Sequence, residues 1–270
     1  MEWGTLRQTH LFDDKTDVLV FLRVPKTGST SVASALTDAL GKTESAILPD
    51  RHVDGLDCGL ARAHDQSRRL RMRVADSVAS RAKGLLGCAD QIKKARFLHG
   101  HHPLWASIRT NRRPCFITSM RDPIDRFLSL YFFYRLKAEM TLDTVGSEKR
   151  QILLRDPSDY VQWVLSTPVR RRLNSHCLYL TRSGNFQDAK EALQQKIHMA
   201  AVLEDLDLLM NSLQNYLGRR VPKLQHLNAG RIRPRGNPLS AEVESRLREA
   251  LTPDYRLFDF LSRNKRKFLA

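Results

Sequence analysis

The feature that most constrains this chain is a strand, a short Gly/Ser/Thr turn and a helix in immediate succession between residues 18 and 40. Residues 18–24 (VLVFLRV) form a β-branched, apolar run that stops at Pro25, the pattern of a buried strand entering a loop. Lys26-Thr27-Gly28-Ser29-Thr30-Ser31 follows directly. From 30 to 40 apolar residues recur at helical spacing, and the hydroxyl residues at the start are expected to cap the first amides. The turn thus combines a glycine for bending, amides at a helix start, hydroxyls and one cation. Those groups bind phosphate, because the helix dipole and unpaired amides favour negative charge there. A capped turn with no ligand is the competing reading, so a second segment has to decide.

The turn does not match the nucleoside-triphosphatase loop GxxxxGK[ST], since the lysine precedes the glycine and no glycine stands five residues before Lys26. A kinase or GTPase is disfavoured, and no clear magnesium carboxylate is visible.

Further along, 95–99 reads as a strand ending in HGHHP, and 114–120 as a strand ending in RDP. The run 123–137 reads as a helix with Asp122 as cap and Pro123 at the first position, where its missing amide hydrogen costs nothing. A strand at 199–203 and a helix at 205–217 follow. This alternation predicts an α/β fold: one domain over 1–270, with a mostly parallel central sheet flanked by helices and a P-loop-like strand-loop-helix. Ligand groups are expected at the strand carboxyl ends. Residues 41–94 read as a basic insert, helical over 61–86, and 226–240 as a basic loop.

Charge narrows the partners. Lys and Arg number 45 against 29 Asp and Glu, a formal +16, which favours a polyanion without naming it. Cys58, Cys88, Cys115 and Cys177 are too few and scattered for a disulfide scaffold or a zinc site. Cys115 reads as core, while Cys58 and Cys88 flank the basic insert and could pair in an oxidising compartment. No apolar run reaches the roughly 20 residues a membrane span needs, so the chain as written is expected to be soluble.

The second segment is RDPIDRFLSLY, 121–131, where an arginine leaves a strand and Ser129 lies two turns into the next helix. An arginine binds phosphate bidentately and a hydroxyl completes its shell. A capping pair at Arg121-Asp122 and a plain surface serine are the alternatives for each residue alone.

Taken together, RVPKTGSTS at 23–31 and RDPIDRFLSLYFF at 121–133 resemble the cofactor-binding segments of PAPS-dependent carbohydrate sulfotransferases (PAPS is 3′-phosphoadenosine-5′-phosphosulfate). The resemblance is strongest to the heparan sulfate and uronyl 2-O-sulfotransferases. It implies that Lys26, Thr27, Gly28, Ser29, Thr30 and Ser31 hold the 5′ end of PAPS, Arg121 and Ser129 the 3′-phosphate, and Arg23 binds the cofactor as well. LHGHHP, 98–103, is similar to the family's HGH segment, which puts His101 at the base position and His99 at its supporting position; His102 departs from the pattern. Weaker similarity continues through 172–180 and 202–213. The piece HLNAGRIRPRG, 226–236, falls where the family carries a basic loop over the nucleotide, so Arg231 and Arg233 are candidates for it.

The chemistry expected from this resemblance is in-line sulfuryl transfer to a hydroxyl of an acidic polysaccharide, at a uronic acid 2-O position. Lys26 would steady charge on the leaving phosphate and His101 would accept the hydroxyl proton. His102, Arg135, Lys149 and Arg150 are candidates for holding the polymer, or are solvated charges. No metal, nucleic acid or membrane span is expected. The resemblance implies the Golgi lumen, with an anchor absent from this chain; a complete product of this sequence would be cytoplasmic. Transfer to a 6-O or 4-O position or to a small acceptor stays open, as does a non-catalytic polyanion binder. The oligomeric state is not legible.

Overall fold

The computed structural model describes residues 11–48, 90–140, 147–168, 173–225 and 238–269. Among the described residues, five parallel strands form one sheet: β1 (Asp17–Leu22), β2 (Ser45–Ile47), β3 (Phe97–Gly100), β4 (Arg113–Met120) and β5 (Ile197–Val202), in the order β2-β3-β1-β4-β5. The expected α/β architecture with a parallel sheet is therefore present.

The apolar run of β1 makes it the central strand. All six residues are buried, and alternate side chains enter different cores, as strand geometry requires. Leu19 and Phe21 pack against α1 (Ser29–Leu40) and α7 (Leu206–Leu217), through Leu36, Leu209 and Leu213. Val18, Val20 and Leu22 pack on the other face, with Cys177 of α5 (Ser175–Leu180), Leu193 of α6 (Phe186–Lys196) and Leu257 of α9 (Thr252–Arg263). Burying each large apolar side chain stabilises by roughly 1.5–3 kcal/mol, which fixes β1 between two helical layers.

A third core is wholly helical. Phe127 and Tyr131 of α2 (Pro123–Met140) pack with Leu153 of α3 (Ser147–Leu154), Tyr160 and Val161 of α4 (Pro157–Ser166) and Leu247 of α8 (Ala241–Ala250). A short helix, Lys265–Leu269, follows α9.

Element bounds differ modestly from the sequence reading. β1 ends two residues earlier, β3 and β5 are shifted, α2 runs on to Met140, and a 3-10 turn at Leu203–Asp205 precedes α7. β2 lies inside the stretch read as an insert; three residues are too few to show a period. The helix read over 61–86 lies outside the described residues.

Topology positions the site. From β1 the chain passes to β2 at one edge and returns through β3, then crosses to β4 on the other side of β1. That reversal is a switch point, and the crevice outside the strand carboxyl ends there is where open α/β sheets bind ligands. The residues delivered to it are the 23–28 loop after β1, His101 after β3 and Arg121 after β4.

Candidate functional site

The 23–31 loop curls tightly. Lys26 (φ 69°) and Gly28 (φ 75°) are both left-handed, and only the glycine adopts that conformation without cost. A Cβ on Gly28 would stand 2.7 Å from Leu203 Cδ1 and 2.8 Å from Leu206 Cδ1, so α7 closes on the turn as well.

Gly28 is the N-cap of α1, and among the described residues no side chain caps the helix. This corrects the expectation that hydroxyl residues do so. The hydroxyls build the loop instead: Thr27 Oγ1 donates to the Val24 carbonyl at 2.9 Å and meets Ser119 Oγ at 3.0 Å, and Ser29 Oγ donates to the same carbonyl at 3.5 Å. Thr27 and Ser29 are buried, whereas Thr30 is exposed and Ser31 half-buried. What Thr27 and Ser29 can offer an anion is backbone amide.

Arg23 joins the loop to β3. Its amide donates to the Gly100 carbonyl at 2.9 Å, and its guanidinium reaches Thr30 Oγ1 at 3.2 Å and His99 Nδ1 at 3.5 Å. Its carbonyl oxygen lies 2.7 Å from His101 Nδ1. A guanidinium only donates and a carbonyl only accepts, so in the neutral form of each ring these two contacts favour opposite tautomers. His99 keeps its lone pair on Nδ1. His101 carries its proton on Nδ1 and its lone pair on Nε2, the tautomer that suits a base. Gly100 sits between them because a Cβ there would stand 2.7 Å from the Leu48 carbonyl oxygen.

From β4, Arg121 Nη1 donates to the Lys26 carbonyl at 3.5 Å, and Nη2 lies 3.5 Å from Asp125 Oδ2. Asp122 caps α2 as expected, accepting from the Asp125 amide at 2.9 Å. Along α2, Asp125, Ser129 and Phe133 recur every four residues and share a face. That face meets the loop, with Lys26 Nζ 4.5 Å from the centroid of the Phe133 ring. The loop, the histidine pair and the Arg121 end of α2 thus come together.

Other expected site residues fall elsewhere. Arg135 is two positions past Phe133, rotated by about 200°, and its guanidinium binds Glu139 Oε1 (3.1 Å), the Tyr131 hydroxyl (3.1 Å) and the Arg155 carbonyl (3.3 Å). The structure does not bring it to the loop. His102 is only 2% exposed and lies within the protein. Arg231 and Arg233 lie outside the described residues, as do the side chains of Lys149 and Arg150 and the pair Cys58 and Cys88.

Two groups were missed by sequence reasoning. Trp105, 36% exposed on the loop after His101, donates from its indole nitrogen to the Leu178 carbonyl at 2.9 Å and carries the Arg182 guanidinium 4.9 Å from its ring centroid. The other group is a buried pair behind Arg121: His176 Nε2 accepts from the Arg121 amide at 3.4 Å, and His176 Nδ1 faces Asp254 Oδ2 at 3.3 Å. Burial alone would raise the Asp254 carboxyl, but His176 beside it, with the Arg126 guanidinium and the Cys177 amide, holds it below the usual carboxylate range. A tryptophan just after HGHHP was one available signal, and His176 falls within the weakly similar 172–180 segment; Asp254 gave none.

Among the described residues no group of three or more His, Cys, Asp or Glu is placed to hold a metal ion, and no helix is long and apolar enough to cross a membrane.

A family model described as the sulfotransferase family matches residues 9–261. Similar curated proteins are heparan sulfate 2-O-sulfotransferase 1 of Xenopus laevis, 27% identical over 135 residues, and that of Homo sapiens, 29% identical over 132 residues. These matches cover 49% and 48% of this chain and 33% of each relative. The chain thus spans about a third of the length of the curated relatives it matches.

Proposed function

The chain belongs to the sulfotransferase family, and from that premise we propose that it transfers a sulfuryl group from PAPS to a hydroxyl of an acidic polysaccharide, at a uronic acid 2-O position. The observation that carries this reading is the contact of His101 Nδ1 with the Arg23 carbonyl at 2.7 Å, which ties a base of the right tautomer to the anion-binding loop. Similarity to two heparan sulfate 2-O-sulfotransferases supports the acceptor class and the ring position.

In the transfer, the acceptor oxygen forms a bond to sulfur as the bond from sulfur to the 5′-phosphate oxygen breaks. The hydroxyl proton passes to His101 Nε2, and the products are a sulfate ester and adenosine 3′,5′-bisphosphate. Negative charge builds on the departing phosphate oxygen, where Lys26 and the loop amides are suited to receive it. Arg121 and Ser129, on the neighbouring end of α2, would hold the 3′-phosphate. His99, fixed by Arg23, supports His101 from the preceding turn of chain.

Trp105 and Arg182 suit the acceptor: an indole face packs on a sugar ring while a guanidinium pairs with its carboxylate or sulfate. By the same family resemblance the reaction belongs in the Golgi lumen.

The test is transfer of labelled sulfate from PAPS to a panel of desulfated glycosaminoglycans, by the wild type, Lys26→Ala and His101→Ala. Transfer to a uronic-acid polymer, lost in both variants, is the expected result. Product mapping to a 6-O or 4-O position would move the ring assignment. PAPS binding without transfer to any acceptor would replace the enzyme by a polyanion-binding protein.

A further inference from the structure

We propose that His176 and Asp254 form a buried positioning device that presents Arg121 to the 3′-phosphate of the nucleotide; this rests on the reading of Arg121 given above. Both side chains are fully buried; His176 falls in the weakly similar 172–180 segment, and Asp254 lies outside every segment that marks the site. They come from α5 and α9, separated by 78 residues, and meet directly behind the end of β4.

Asp254 is fixed first. Its Oδ2 and Oδ1 accept the amides of His176 (3.0 Å) and Cys177 (2.9 Å), and its own amide donates to Asn174 Oδ1 at 3.2 Å. The carboxylate is therefore locked against the first turn of α5, with Oδ2 also facing His176 Nδ1.

The Arg121 contact sets the tautomer of His176. A backbone amide only donates, so Nε2 keeps its lone pair and the proton of the neutral ring sits on Nδ1, the atom that faces the Asp254 carboxylate. Nε2 is the atom that the Arg121 amide approaches at 3.4 Å. The opposite tautomer would set two N–H groups against each other and push the backbone of Arg121 away. Arg121 is the residue at which the chain leaves β4 for α2, so its backbone sets where the guanidinium starts. The neighbouring Asp122 is held from α9 too, by the Tyr255 hydroxyl at 3.3 Å. A displacement near an ångström at such a residue weakens an oriented phosphate contact substantially.

His176 is thus a positioning residue, and it should affect the 3′-phosphate selectively. Binding of adenosine 3′,5′-bisphosphate and of adenosine 5′-monophosphate is measured calorimetrically for the wild type, His176→Asn and His176→Gln. Asparagine keeps a donor near the Nδ1 position and cannot reach Arg121, whereas glutamine places an acceptor near the Nε2 position. The expected result is that His176→Asn lowers the preference for the bisphosphate about ten-fold with monophosphate affinity little changed, and that His176→Gln restores it. An unchanged preference in a folded His176→Asn protein would overturn the proposal while leaving the role of Arg121 standing. A wild type that does not prefer the bisphosphate would overturn both. Independently of any variant, nitrogen NMR of the histidine-labelled wild type should find the His176 proton on Nδ1; a proton on Nε2 in the neutral ring refutes the device.

Discussion

His101 Nδ1 lies 2.7 Å from the carbonyl oxygen of Arg23, so the residue following β3 is fastened to the first residue after β1 through backbone and imidazole. The side chain of Arg23 is left to serve His99 and Thr30. This separation predicts different kinetic faults. His101→Ala should lower kcat by about 10² to 10⁴ with donor binding intact. Arg23→Ala should preserve the His101 contact and chiefly raise the KM for PAPS. Steady-state kinetics with each substrate varied in turn checks the split, and a larger kcat loss in Arg23→Ala than in His101→Ala would contradict it.

Gly28 and Gly218 offer an internal comparison. Both are left-handed, at φ 75° and 61°, but a Cβ at Gly218 meets nothing among the described residues within 4 Å, whereas at Gly28 it meets two leucine methyls. Gly218→Ala should therefore cost about 1 kcal/mol, the conformational part alone. Gly28→Ala should cost about 1–3 kcal/mol, because the leucines must also move, and should weaken nucleotide binding. Urea unfolding of the two variants, with nucleotide titrations, measures both effects.

Asp254 makes stability depend on pH with a definite sign. Burial pushes its carboxyl up, but His176, Arg126 and the Cys177 amide outweigh that and hold it below the usual range. A depressed carboxyl stabilises the fold fully above the unfolded value of about 4 and ceases to do so as pH falls through the folded value. Asp254→Asn should therefore lose about 2–4 kcal/mol at pH 7, with the gap to wild type narrowing below about pH 4. Denaturation midpoints at pH 7, 5 and 3.5 test this; a gap that widens in acid would show the sign to be wrong.

Cys115 and Cys177 are buried free thiols, and burial pushes both up, far out of the range where thiolate forms for Cys177. Neither should react with iodoacetamide at pH 8 in the folded protein, and both should react in urea. Peptide mass spectrometry reads each site separately, and rapid native labelling of either would contradict its burial.

Trp105 and Arg182 should act on the acceptor and not on the donor. Trp105→Ala and Arg182→Ala are expected to raise the KM for polymer several-fold, with the KM for PAPS unchanged, and Arg182→Ala should also weaken the salt dependence. Equal effects on both substrates would make the pair merely structural.

The sequence by itself determined the central strand, the turn and helix after it, the Asp122 cap and the histidine cluster, because each rests on neighbours within a few residues. It also held the placing of Arg135, two residues past Phe133 and so turned off the face of α2 that meets the loop. Only the tertiary structure decided where the Thr27 and Ser29 hydroxyls point, since Ser119, 92 residues away, helps fasten the loop. The partnership of Arg121 with His176 and Asp254 was beyond reach for the same reason. A lone buried histidine and a lone aspartate have no spacing to read, and their roles exist only because folding brings two helices against the end of β4.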